Sequence, residues 1–196
     1  MSKPVSGWLR LSVAATALLP AFAYAHVGVG QVGGFGHGIS HPFLGLDHVC
    51  AMVAVGLWAA QMGGRSMWAV PLTFVSVMVM GGALGMLGIG LPFVEHGIIL
   101  SVLMLGVLVA AAIRLPLWLS SCMVGIFALF HGYAHGAEMP ESATAMTYAF
   151  GFMLSTATLH VIGILFGSGM QRFANERAIT AAGAGIALSG VYLAVS

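Results

Sequence analysis

The sequence predicts an all-α integral membrane protein, a bundle of about six transmembrane helices behind a cleaved signal peptide. Three observations carry that expectation. Of 196 residues, 60% are hydrophobic and only 6% are charged, whereas soluble domains carry about 25% charged residues. The mean hydropathy is +1.03. Glycine and proline, with an occasional arginine, punctuate the apolar stretches at intervals that suit single spans of about 20 residues. A formal net charge of +1 gives no basic footprint for nucleic acid. The two cysteines, Cys50 and Cys122, are too few for a thiolate metal cage or a disulfide framework.

The first element is a processing signal. Lys3 and Arg10 precede an apolar run from Leu11 to Phe22, and Ala23-Tyr24-Ala25 supplies small residues at both positions of a cleavage site. The run is too short to cross about 30 Å of hydrocarbon. We therefore expect residues 1–25 to be a signal peptide and 26–196 to be the membrane domain, with His26 as the mature N-terminus outside the cytoplasm. The glycine-rich stretch from His26 to Ser40 reads as a flexible or re-entrant lead-in.

Six spans follow. Span one runs from Pro42 to Gln61 and ends at Gly63-Gly64-Arg65; Pro42 suits a first helical turn because it lacks only an N–H that would be unpaired there. Span two covers Met67 to Leu87, and span three Phe93 to Ile113. Span four starts at Leu115-Pro116 and reaches Gly136. Span five covers Ser142 to Phe166, and span six runs from Ala178 to near the C-terminus. Three spans per half is odd, so the two halves would run in opposite senses. Arg65, Arg114, Arg172 and Arg177 all fall in the loops after spans one, three and five, while Asp47, Glu95, Glu138 and Glu141 gather at the other ends. That partition follows the positive-inside rule and agrees with the signal peptide.

Eight histidines outnumber five carboxylates, and they cluster. Along a straight span one, His41 sits at the helix cap, His48 lies two turns on along the same face, and Asp47 stands beside it to ligate or orient an imidazole. In span four, His131, His135 and Glu138 stand at i, i+4 and i+7, on one helical face. Ionisable groups inside spans are costly and mark substrate paths. Imidazole with carboxylate and no clustered thiolate suits nickel, cobalt or zinc. His26, His37, Glu95 and His160 are further candidates for the same path, and His96 is a weaker one. The bland reading of each histidine is a hydrogen bond between helices. No Walker motif is present, so any driving force comes from a gradient, the membrane potential or a partner.

These residues resemble the HupE/UreJ family of nickel/cobalt permeases. His41-Pro42-Phe43-Leu44-Gly45-Leu46-Asp47-His48 matches its first motif. Phe130, His131, Gly132, His135, Gly136 and Glu138 match its second, and Ala157-Thr158-Leu159-His160 is similar to its span-five pattern. The resemblance implies a bacterial inner-membrane permease with a periplasmic N-terminus. It implies uptake of Ni²⁺, or Co²⁺ in some members, for hydrogenase or urease maturation. The metal is substrate, no bound cofactor is expected, and the chain is not an enzyme. The rival reading is a redox or hydrolytic membrane protein: a haem held by His131 and His160, or a zinc-dependent intramembrane hydrolase.

Overall fold

The computed structural model describes residues 34–139, 143–173 and 176–196, all within the unit Val32–Ser196. The expected signal peptide, His26 and Glu141 lie outside the described residues. Every regular element among the described residues is an α-helix: α1 Gly34–Leu44, α2 Leu46–Met62, α3 Ser66–Met86, α4 Val94–Ala110, α5 Leu117–Ala137, α6 Ala145–Phe173 and α7 Glu176–Val195. Four of these, α3, α5, α6 and α7, are long and apolar enough to cross a membrane. The pair α1 and α2 passes the same test together as a broken span, and α4 is a shorter apolar helix.

The first expected span is corrected. It is not one straight helix from Pro42. Pro42 lies inside α1, and the chain turns by 81° before α2 begins at Leu46. His41 therefore closes α1 rather than capping α2, and the lead-in is helical from Gly34 onward. The break falls at Gly45, whose extended backbone (φ −94, ψ 122) caps α2. The Asp47 and His48 side chains fold back over this glycine. A Cβ here would lie 2.6 Å from Asp47 Oδ1 and 2.8 Å from His48 Nδ1, so any larger residue makes these two side chains shift.

With little hydrophobic drive between helices in lipid, association depends on close backbone approach through small residues. Glycine supplies it along three helix pairs. Gly81 and Gly85 of α3 pack on the Leu129 and Tyr133 carbonyls of α5, while Gly132 and Gly136 return the contact against Met78 and Gly82. Gly56 of α2 and Gly163 of α6 meet in the same way, and further up α6 Gly151 packs on α1 at Phe35. The pairs α3–α5 and α2–α6 run parallel. In α4–α7, Gly106 meets Ala187, Gly183 meets Ala110 and Gly190 meets Leu103, so that pair is antiparallel.

The core centres on α2, which is buried along most of its length from Ala51 to Gln61. Trp58, Phe74, Leu105, Val109 and Val124 are fully buried around it. Two hydrogen bonds tie the far end of α2 to the end of α4: Trp58 Nε1–H donates to the Ile113 carbonyl (2.7 Å), and the Gln61 amide donates to the Val109 carbonyl (3.0 Å). Lipid-type exposure falls elsewhere, on residues such as Met80, Trp118, Phe150 and Leu165.

Candidate metal path

The bend at Gly45 sets the last turn of α1 beside the first turn of α2, and both face the end of α5. Four imidazoles meet there. The His41 ring is 4.7 Å from that of His135, His135 is 4.3 Å from His48, and His48 is 5.2 Å from His131 (centroid to centroid). His41 and His48 also face each other at 6.3 Å, across the bend rather than along one helical face. Phe152 of α6 lies against His135 at 3.8 Å.

Each ring has a definite polar environment. His48 Nδ1–H donates to Asp47 Oδ1 at 2.7 Å, and the same oxygen accepts the His48 backbone N–H at 2.9 Å. His131 Nδ1–H donates to the Phe127 carbonyl at 3.0 Å, one turn back on its own helix. In both rings the anchored Nδ1 leaves Nε2 as the lone-pair nitrogen, the arrangement by which partners of an imidazole fix its tautomer and aim. Both Nε2 atoms are buried with no hydrogen-bond partner among the described residues, as are both ring nitrogens of His135 and of His160. Leaving a buried polar atom unmade costs about 1–3 kcal/mol. Such atoms along one path fit a site that takes a ligand.

At the mouth, His41 Nε2 lies 3.2 Å from Glu138 Oε2. The ligand atoms of His41, His135 and Glu138 all fall within 4.8 Å of one another, close enough for one ion to reach all three. The hydrogen bond from His41 holds the Glu138 carboxyl below its ordinary value, so Glu138 stays a carboxylate. A cavity of about 430 Å³ adjoins the mouth, lined by Asp47, His48, Glu95, Tyr133 and Glu138 among others. Three carboxylates on one cavity wall favour a cation there.

His160 sits deeper, on α6. The Phe74 ring lies 5.6 Å from His131 and 5.0 Å from His160, so it stands on both histidines. Ser155 Oγ–H donates to the Ile39 carbonyl (2.6 Å) and fastens α6 to α1 just above. The structure thus gathers His41, Asp47, His48, His131, His135 and Glu138, adds Glu95 through the cavity wall, and sets His160 below Phe74. It does not bring in His37, which is exposed one turn before His41, or His96, which packs on Phe93 at 6.0 Å. Phe74 and Phe152 were not legible as path residues, because a phenylalanine in an apolar helix carries no signal of its own. The haem reading is not favoured, since Phe74 packs on both proposed axial rings.

The family profile described as HupE / UreJ protein matches residues 14–193. The chain is 48% identical to Protein HupE of Rhizobium leguminosarum bv. viciae over 179 residues, 90% of this chain and 92% of that relative. No solved structure gives a significant match.

Proposed function

Because the chain belongs to the HupE / UreJ family, we propose that it is an ATP-independent importer of divalent transition-metal ions, Ni²⁺ first and Co²⁺ second, in a bacterial inner membrane. In this reading α1 with α2, and then α3 to α7, make six spans behind a cleaved signal peptide. The mature N-terminus and the histidine mouth face the periplasm, and the arginine-bearing loops face the cytoplasm. The chain is a transporter rather than an enzyme, and it supplies metal for hydrogenase or urease maturation.

The observation that carries the reading is the convergence of His41, His135 and Glu138 on one ion-sized space, continued inward by unpartnered imidazole nitrogens. A hydrated cation enters the acidic cavity, exchanges water for His41, His135 and Glu138, and passes to His48 and His131. Asp47 aims His48. His160 takes the ion onward past Phe74. Imidazole and carboxylate bind a borderline metal firmly enough to dehydrate it, without the closed grip of a thiolate cage.

The test is uptake of radiolabelled Ni²⁺ by cells lacking their own nickel importers. Wild type is compared with His41→Ala and His131→Ala, with membrane expression checked and Co²⁺ and Zn²⁺ as competitors. Uptake lost in both variants, with cobalt the stronger competitor, is the expected result. Wild-type uptake in both well-expressed variants would make these histidines structural.

A further inference from the structure

The glycine contacts repeat in a register that relates one half of the chain to the other. Gly81 of α3 meets the Leu129 carbonyl and the Tyr133 nitrogen of α5; Gly163 of α6 meets the Val53 carbonyl and the Leu57 nitrogen of α2. Gly132 meets the Met78 carbonyl, and Gly56 meets the His160 carbonyl. Exchanging Gly81 with Gly163, Tyr133 with Leu57, and Met78 with His160 turns one set of contacts into the other. In α4–α7, the Gly106–Ala187 contact is its own image, and Gly183–Ala110 maps onto Gly190–Leu103 within one residue. The helix directions obey the same exchange: two parallel pairs swap, and the antiparallel pair maps onto itself. This is an inverted repeat, the architecture in which a transporter's two access states are related by swapping the roles of its halves.

Carried along the helices, that register takes Ala137 of the acidic cavity to Gln61. It takes Ile98 and Ile99 to Ile179 and Thr180, and Leu193 to Ala112. Gln61, Ala112, Ile179 and Thr180 are four of the six residues that line a separate cavity of about 330 Å³ at the opposite, arginine-bearing end; Arg114 and Gln171 are the others. The two cavities are thus images of one another under the internal two-fold, although their chemistry differs. Asp47, Glu95 and Glu138 line the first, and no carboxylate lines the second among the described residues. One N–H of the Gln61 amide donates to the Val109 carbonyl, and one of the Gln171 amide to the Ala60 carbonyl at 3.3 Å. Each side chain is left with its carbonyl oxygen as an acceptor. Gln61, only 8% exposed, has its Oε1 buried with no partner.

We propose that this second cavity is the exit vestibule for the transported divalent cation, the image of the entrance without the Asp47 and Glu138 carboxylates. The proposal rests on the transport reading above. Neutral amide and hydroxyl oxygens accept hydrogen bonds from the ion's returning water shell, and Arg114 repels the ion into the cytoplasm. The entrance captures and the exit releases.

The test uses the full chain in right-side-out vesicles, with Ni²⁺ alone as the probe. Thr180→Asp places a carboxylate in the exit, and Arg114→Gln removes its positive rim; both side chains are exposed, so neither change disturbs the core. Ligand charge count sets cation affinity over orders of magnitude, so Thr180→Asp should slow uptake by roughly tenfold, with a smaller loss in Arg114→Gln. Ni²⁺ preloaded on the cytoplasmic side should inhibit both variants at lower concentration than wild type, while equilibrium binding at the entrance stays as in wild type. Wild-type rates in both variants would overturn the proposal. So would slowed uptake with unchanged inhibition by internal Ni²⁺, the mark of a merely structural defect. Should Thr180→Asp misfold, Arg114→Gln decides by the same readouts. Absence of uptake by the wild type itself would instead sink the transport reading.

Discussion

The rings of His48 and His135 lie 4.3 Å apart, edge against face, although His48 opens α2 and His135 sits at the end of α5. The contact exists because the chain breaks at Gly45 and lets His48 project across the end of α5. One glycine thus converts two separate histidine motifs into one mouth.

That dependence gives the first prediction. In Gly45→Ala the new methyl meets Asp47 Oδ1 and His48 Nδ1, so the hydrogen bond that aims His48 must open. Asp47→Ala removes the same anchor without altering the bend. Loss of such an orienting partner weakens metal binding by about 10–100-fold. Both variants should show that loss when purified protein is titrated with Ni²⁺, and Asp47→Ala should keep its helical content. Undiminished affinity in Asp47→Ala would mean that Asp47 does not orient a ligand.

The second prediction concerns pH. Glu138 has its pKa lowered by the hydrogen bond from His41. A depressed carboxyl keeps its charge, and its pairing, down through the ordinary glutamate range, and loses them only when pH falls through the lowered value. Proton competition between about pH 7.5 and 5.5 therefore falls on imidazole rather than on Glu138. Uptake should drop across that window at constant driving gradient. Glu138→Gln should have lower Ni²⁺ affinity and should still lose uptake as the pH falls. A flat wild-type profile would count against imidazole ligation, and loss of all pH dependence in Glu138→Gln would assign the titration to the carboxylate.

Much of the fold was legible because bilayer length and arginine placement are coarse constraints. The limits of α3, α5 and α7 fall within a few residues of the expected spans. The break in the first span was not legible. Pro42 satisfies the rule for a first helical turn, and nothing in the pattern shows that the Asp47 and His48 side chains need the space over Gly45. Spacing named the six central ligand candidates but joined them wrongly, since His41 and His48 share a site across a bend rather than a helical face. Phe74 and Gln61 gained meaning only from what surrounds them.

A third prediction tests the glycine packing. A methyl at Gly132 would run into the Met78 carbonyl, a backbone atom that cannot step aside. Gly132→Ala should therefore prise α5 from α3 and lower the thermal unfolding midpoint in detergent, at the overpacking cost of about 1–3 kcal/mol. Gly90→Ala, where a methyl meets nothing within 4 Å, should leave the midpoint near wild type. Equal midpoints for the two variants would show that α3 and α5 tolerate a wider spacing.

The last prediction separates capture from passage. His160 is buried on α6, and Phe74 packs on both it and His131. It touches none of the ligand atoms that gather at His41, His135 and Glu138. If it serves the ion after the mouth, His160→Ala should bind Ni²⁺ at equilibrium as the wild type does, while uptake falls by roughly tenfold or more, since the path then loses a buried imidazole. His135→Ala should lose both binding and uptake. Measured side by side on purified protein and in vesicles, the pair distinguishes two roles that a transport assay alone would merge. Wild-type uptake in His160→Ala would reduce His160 to a packing residue and confine the metal path to the outer side of Phe74.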